Sequence, residues 1–162
     1  MSEDKGPLRI LSATVSDAWV DYNGHMGDYA YGIVFSNAAT AYMDRIGIDA
    51  AYRTETAATL YTLDSRIGFL RECHAGEALQ VDILVIAADA KRLHLFMRLI
   101  NAAGDELAVC EQVLMHVLRA EGTPHSARLP GPSRERLMAD LEAHRDIGRP
   151  VWLNRQIGLS RA

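Results

Sequence analysis

The stretch Trp19-Val20-Asp21-Tyr22-Asn23-Gly24-His25-Met26-Gly27-Asp28, running on into Tyr29-Ala30-Tyr31-Gly32-Ile33-Val34-Phe35, decides how the rest of the chain is read. It sets an acid, a carboxamide and an imidazole at spacing D-x-N-x-H, with glycine and aromatic residues around them. The apolar run that follows predicts a buried helix from Asp28 to about Ile46, carrying Ala30, Ile33, Val34, Phe35, Ala38, Ala41 and Met43. Asp28 is the expected N-cap and Gly47 the expected C′ residue. Gly27 and Gly32 bracket the first turn and permit close approach of a ligand or another backbone. The polar loop thus ends at a helix N-terminus, whose free N–H groups and dipole favour developing negative charge. A general base or nucleophile and an oxyanion site would then sit side by side.

Working outward, residues 1–7 read as disordered, and Leu8 to Ser16 alternates weakly enough to suggest a first strand. Beyond the helix, Ile48 to Ala57 reads as irregular. Four strand-like segments follow, Thr59 to Leu70, Ala78 to Ala88, Arg92 to Ala102 and Leu107 to Arg119. The connections Ala75-Gly76-Glu77, Asp89-Ala90-Lys91 and Ala103-Gly104-Asp105 suit antiparallel hairpins. Leu93, Leu95, Met97 and Leu99 share one face, and Leu79, Val81, Ile83 and Val85 repeat the pattern, so one face of the sheet is core. Glu111 shares its strand face with Val109, Val113, Met115 and Val117, which points that acid toward the core. After a Pro/Gly-rich turn, Ser133 is the expected N-cap of a C-terminal helix over 133–147, with Leu137, Leu141 and His144 on its inner face and Gly148 and Pro150 ending it. The expectation is a single α+β domain over 1–162, a helix packed against an antiparallel sheet. Its uncovered face and edges point to self-association.

Composition narrows the function classes. With 49% hydrophobic and 23% charged residues the chain is globular, and a net charge of -4 gives no electrostatic footprint for nucleic acid. No apolar run reaches membrane-spanning length and the first residues lack a signal peptide's apolar core, so cytoplasmic residence and no membrane partner are expected. Cys73 and Cys110 form no metal or C-x-x-C spacing, and no histidine pair has a zinc motif's spacing, so no metal is expected.

Asp21-Tyr22-Asn23-Gly24-His25-Met26 resembles the D-x-x-G-H-[VM]-N-N pattern with which hot-dog fold acyl-CoA thioesterases of the 4-hydroxybenzoyl-CoA thioesterase type enter their central helix. The D-x-N-x-H set of Asp21, Asn23 and His25 also matches plant acyl-carrier-protein thioesterases. Taken with Lys91-Arg92-Leu93-His94-Leu95-Phe96 and Glu111-Gln112, the loop is most similar to the betainyl-CoA thioesterases of carnitine breakdown. Gly27-Asp28 departs from the usual Asn-Asn or Asn-Asp. The resemblance implies a hot-dog fold, a long central helix wrapped by a curved antiparallel sheet, and hydrolysis of a short acyl-CoA, betainyl-CoA first. CoA would be part of the substrate, no cofactor would be needed, and the assembly would be a homodimer or homotetramer.

By that resemblance Asp21 attacks the thioester carbonyl or activates a water, Asn23 and His25 orient it or donate a hydrogen bond, and the Asp28 backbone N–H holds the oxyanion. Trp19, Tyr22, Tyr29, Tyr31 and Tyr61 are either core aromatics or a box around the acyl group, able to hold a trimethylammonium by cation–π attraction. Asp64 would add charge complementarity, and Glu111 is a second carboxylate candidate. Lys91 and Arg92, with Arg66 and Arg71, would meet CoA phosphates or else form a solvated sheet face. Hot-dog enoyl-CoA hydratases are the first rival, but they carry D-x-N-P-x-H, with histidine one residue further on and proline where Gly24 stands. A non-catalytic acyl-CoA-binding protein is the second, and it would not need Asp21.

Overall fold

The computed structural model describes residues 6–120 and 122–159. The expected disorder at 1–7 therefore falls, for 1–5, outside the described residues. The elements in order are β1 (Leu8–Thr14), a short 3-10 turn (Asp17–Trp19), α1 (Asp28–Arg45), α2 (Ala50–Thr56), β2 (Ala58–Phe69), β3 (Ala78–Ala88), β4 (Arg92–Asn101), β5 (Glu106–Leu118), β6 (His125–Ser126) and α3 (Gly131–Ala143). One antiparallel sheet runs β1-β3-β4-β5-β2, with the short β6 added to β5. It curls around α1 as a half-barrel.

Alternation in β3 and β4 sets the core as expected. Leu79, Val81, Ile83 and Val85 meet Leu93, Leu95, Met97 and Leu99, and all pack with Tyr31, Val34, Phe35, Ala38 and Tyr42 of α1. Those α1 positions recur every three or four residues and form one stripe. The opposite side of α1 is less covered than the sequence suggests, and Ile33 there is 40% exposed. The outer sheet face is partly closed by the chain itself, since Ile147, Trp152 and Leu153 pack on Leu84, Phe96 and Val109.

Val109 belongs to that outer cluster, while Ala108 and Cys110 belong to the main core. The face that Glu111 shares with Val109 is therefore the outer one. Apolar alternation identified the right partners but not the side, because here both sides of the sheet are apolar.

Three further expectations are corrected. The turn Ala75-Gly76-Glu77 is not a hairpin between β2 and β3: β2 pairs with β5 and β3 with β1. Gly76 N–H instead donates to Val15 O at 2.9 Å, and Val15 N–H donates to Glu77 O at 2.9 Å. Turn residues reverse the chain locally but do not choose which strand it joins. Residues 50–56, read as irregular, form α2, because Asp49 Oδ1 accepts Tyr52 N–H at 2.9 Å and caps a turn that Ala57 ends at φ 54°. α3 begins behind Pro130 rather than at Ser133, and His144 closes it short of residue 147. Proline in the first turn needs no N–H partner, which makes the earlier start favourable.

α3 is fastened to the layer below it. Asp140 accepts from Tyr42 Oη at 3.0 Å and from Arg45 at 2.7 and 3.0 Å, and His144 Nδ1 accepts Val85 N–H at 2.9 Å. Among the described residues no helix is long and apolar enough to cross a membrane.

Candidate active site

The loop between β1 and α1 is a closed hairpin of its own. Val20 and Met26 bridge antiparallel, Asp21 N–H donates to His25 O at 2.9 Å, and Gly24 N–H donates to Asp21 O at 3.0 Å. Gly24 takes φ +79°, the left-handed conformation that such a tight reversal requires. Asp21 Oδ1 accepts Asn23 N–H at 2.8 Å, an Asx turn that fixes the carboxylate. Its Oδ2 accepts no hydrogen bond among the described residues.

The helix start beside this loop presents a donor with no partner among the described residues. Gly27, not Asp28, is the N-cap, in extended conformation and without a side-chain cap bond. Gly27 N–H donates to Trp19 O at 2.8 Å, Tyr29 N–H to Asp28 Oδ1 at 2.8 Å, and Ala30 N–H to Gly27 O at 3.0 Å. The Asp28 N–H is left without an acceptor among the described residues, and it stands at the positive end of the 18-residue α1.

Asp21 and Asp28 line one open cavity of about 340 Å³ together with His25, Met26, Tyr31, Phe69, Leu70, Arg71 and Glu72. Its apolar wall is the edge-to-face pair Tyr31–Phe69, with ring centroids 5.1 Å apart. Burial and the Cys73 thiol push the Tyr31 hydroxyl's pKa well up, so it stays protonated and donates to Arg71 O at 3.3 Å. His25 Nε2 lies 3.1 Å from Glu72 Oε2. Met26 N–H donates to Cys73 O at 2.8 Å, so backbone pairing holds the loop against the segment after β2.

Of the sequence candidates, Asp21, His25 and Asp28 are thus brought together, and Asn23 contributes its backbone N–H while its exposed side chain makes no bond to the cavity. The aromatic residues divide. Tyr31 lines the cavity, whereas Trp19 packs against the core, Tyr22 is 96% exposed, and Tyr29 turns away to donate to Ala18 O at 3.0 Å. Tyr61 sits further along β2, opposite Met115. Asp64 and Glu111 belong to a separate cavity of about 560 Å³, where Glu111 binds His94 at 2.8 Å, Arg66 at 3.3 Å and Asn154 N–H at 2.8 Å. Lys91 donates to Ser126 at 3.0 Å and Arg92 pairs with Asp89 at 2.7 Å, so both are engaged at the β3–β4 turn. Arg71 is the basic residue at the mouth of the Asp21 cavity, 3.3 Å from Asp105.

Phe69, Arg71 and Glu72 were not singled out together by the sequence. They reach Asp21 because β2 lies at the sheet edge beside the start of α1, a tertiary relation with no local signature. The only available cue was Phe69, an apolar residue followed closely by the charged pair Arg71-Glu72.

Residues 15–141 match the thioesterase-like superfamily. The chain belongs to that superfamily. It is 40% identical to a betainyl-CoA thioesterase of Pseudomonas aeruginosa over 153 residues, covering 94% of this chain and 95% of that one. It is 36% identical over 157 residues to an L-carnitine dehydrogenase/betainyl-CoA thioesterase of Rhizobium meliloti, covering 96% of this chain but 31% of the relative. The chain therefore spans about a third of such fused relatives. Among solved structures, a Staphylococcus aureus protein in complex with CoA superposes with a TM-score of 0.88 at 26% identity, covering 95% of this chain and 97% of that one. The hot-dog fold expected from the loop is thereby established.

Proposed function

We propose that this chain hydrolyses a short acyl-CoA thioester to the free acid and CoA, with betainyl-CoA as the preferred substrate. The observation that carries the chemistry is the pairing, in one cavity, of a carboxylate with an oxygen that accepts no bond and a helix-first N–H with no acceptor among the described residues. Asp21 Oδ2 attacks the carbonyl carbon or takes a proton from the attacking water, and Asp28 N–H receives the charge that forms on the carbonyl oxygen. Thiolate leaves readily, so a carboxylate and one preorganised donor suffice. His25, with its Nε2 3.1 Å from Glu72 Oε2, lines the same cavity.

The acyl preference is supported by the two relatives named for betainyl-CoA. It is also supported by a wall of Tyr31 and Phe69 set among the carboxylates of Asp21, Asp28 and Glu72. Aromatic faces and acids attract a trimethylammonium that has no hydrogen to donate. Arg71, at the mouth of the cavity, would meet a CoA phosphate. The reading places the protein in the cytoplasm as a homodimer, with the exposed edge of β2 as the joining strand.

The test is the release of free CoA, followed with a thiol reagent, from betainyl-CoA and from tert-butylacetyl-CoA, in which carbon replaces the charged nitrogen. A large preference for betainyl-CoA is expected. Equal kcat/KM for the two would remove the betaine assignment, and no CoA release from any short acyl-CoA would remove the hydrolase.

A further inference from the structure

We propose that His25, Glu72 and His74 form a binding site for a divalent transition-metal ion of the zinc class, at the rim of the Asp21 cavity, and that its occupation slows the enzyme. One ligand atom from each residue lies within 4.8 Å of the others. The two histidines flank the Met26 N–H···O Cys73 bond of 2.8 Å, so their backbones are fixed relative to each other. Their rings meet edge to face with centroids 5.0 Å apart.

Orientation within the set is supplied by a fourth residue. Glu77 Oε1 lies 2.9 Å from His74 Nδ1 and also accepts His74 N–H at 2.8 Å. A carboxylate on Nδ1 leaves Nε2 as the nitrogen free for an ion, an arrangement that recurs behind metal-bound histidines. Two imidazoles and one carboxylate are a donor set for zinc and its neighbours rather than for magnesium or calcium.

Ligand atoms around a tetrahedral ion at about 2.1 Å are about 3.4 Å apart, so the set must close slightly. The side chains of Glu72 and His74 are 69% and 58% exposed, so small side-chain adjustments close the set while the backbone need not move. An ion held there takes the His25 imidazole and the Glu72 carboxylate away from the cavity they line with Asp21. Binding and inhibition follow from the same contacts.

The experiment titrates the full chain with cobalt(II), read by visible absorbance, and with zinc, read by calorimetry, near neutral pH. One ion per chain with micromolar affinity is expected. His74→Asn should abolish binding at those concentrations, and Glu77→Gln, which alters the carboxylate that holds the His74 ring and backbone but no ligand atom, should weaken it by about 10- to 100-fold. Hydrolysis by the unsubstituted chain should fall in step with occupancy, whereas His74→Asn, compared with its own metal-free rate, should be insensitive. No binding, or equal binding by the unsubstituted chain and His74→Asn, would overturn the site. A full rate at full occupancy would overturn the inhibition. The binding readouts need no turnover, so they stand or fall separately from the thioesterase reading.

Discussion

The ring of Tyr29 fills the space that a side chain at Gly27 would need: a Cβ there would lie 2.6 Å from Tyr29 Cε1. The backbone is not the reason for the glycine, since φ of -64° is open to any residue. Gly27 stands where the hot-dog loop pattern ordinarily has asparagine, and Tyr29, tied to Ala18 O at 3.0 Å, occupies the vacated volume. Gly27→Asn is therefore expected to dislodge the ring and destabilise the fold by about 1 kcal/mol, the worth of a typical hydrogen bond. In a Tyr29→Ala background the same substitution should cost less. Equal melting-temperature losses in both backgrounds would show that the ring does not exclude the side chain.

Two buried histidines give the fold a defined acid limb. Burial pushes His116 and His144 below their ordinary value of 6.5. His144 Nδ1 accepts Val85 N–H at 2.9 Å and must stay unprotonated to do so, while His116 Nε2 is 2.8 Å from Tyr52 Oη. Below about pH 6.5 the unfolded chain takes up protons that the folded chain refuses. Stability is thus complete above that pH and declines as pH falls toward and through the lowered values. His144→Asn, whose carbonyl can still accept from Val85 without titrating, should flatten part of the decline in thermal melts between pH 8 and pH 5. An unchanged slope would exclude His144 from the effect.

The edge of β2 leads to an assembly prediction. Its outer backbone has no strand partner among the described residues, and Leu63 and Phe69 on it are 50% and 52% exposed. Unpaired edges with apolar side chains favour pairing with a second copy. Sedimentation at micromolar concentration should report a dimer, and Leu63→Asp should shift it toward monomer. A monomer for the unsubstituted chain would contradict the joining role of β2.

Much of this was legible in the sequence, for identifiable reasons. Residues 78–101 alternate cleanly, so the core faces of β3 and β4 followed from period alone, and Gly47 marked the end of α1. The loop was legible because D-x-N-x-H places its groups within one turn. What was not legible depended on pairing across distance. Glu111 was assigned to the core because an acid among valines looks buried, yet its face is closed by Trp152 and Leu153 from the far end of the chain. Phe69 and Glu72 join Asp21 only because β2 skips its sequence neighbour β3 and lies beside β5. Asp49, a capping acid within a segment read as irregular, was the missed signal for α2.

The acyl wall yields a specificity prediction. Replacing Phe69 by alanine removes one aromatic face from the cavity and leaves Asp21 and Asp28 in place. A cation–π contact of about 0.5–2 kcal/mol corresponds to a loss of about 2- to 30-fold in the betainyl-CoA to tert-butylacetyl-CoA ratio of kcat/KM. The rate on the neutral ester should change far less. A parallel fall on both substrates would make Phe69 a packing residue rather than a cation contact.

The central claim is that Asp21 performs the chemistry, and Asp21→Asn tests it most directly. Asparagine retains an oxygen able to accept Asn23 N–H in place of the present 2.8 Å bond, so the loop should persist while the base is lost. Single-turnover hydrolysis of betainyl-CoA, measured beside CoA binding and the melting temperature, should slow by about 100-fold or more with the other two quantities unchanged. Hydrolysis at a near-normal rate in this variant would contradict the account.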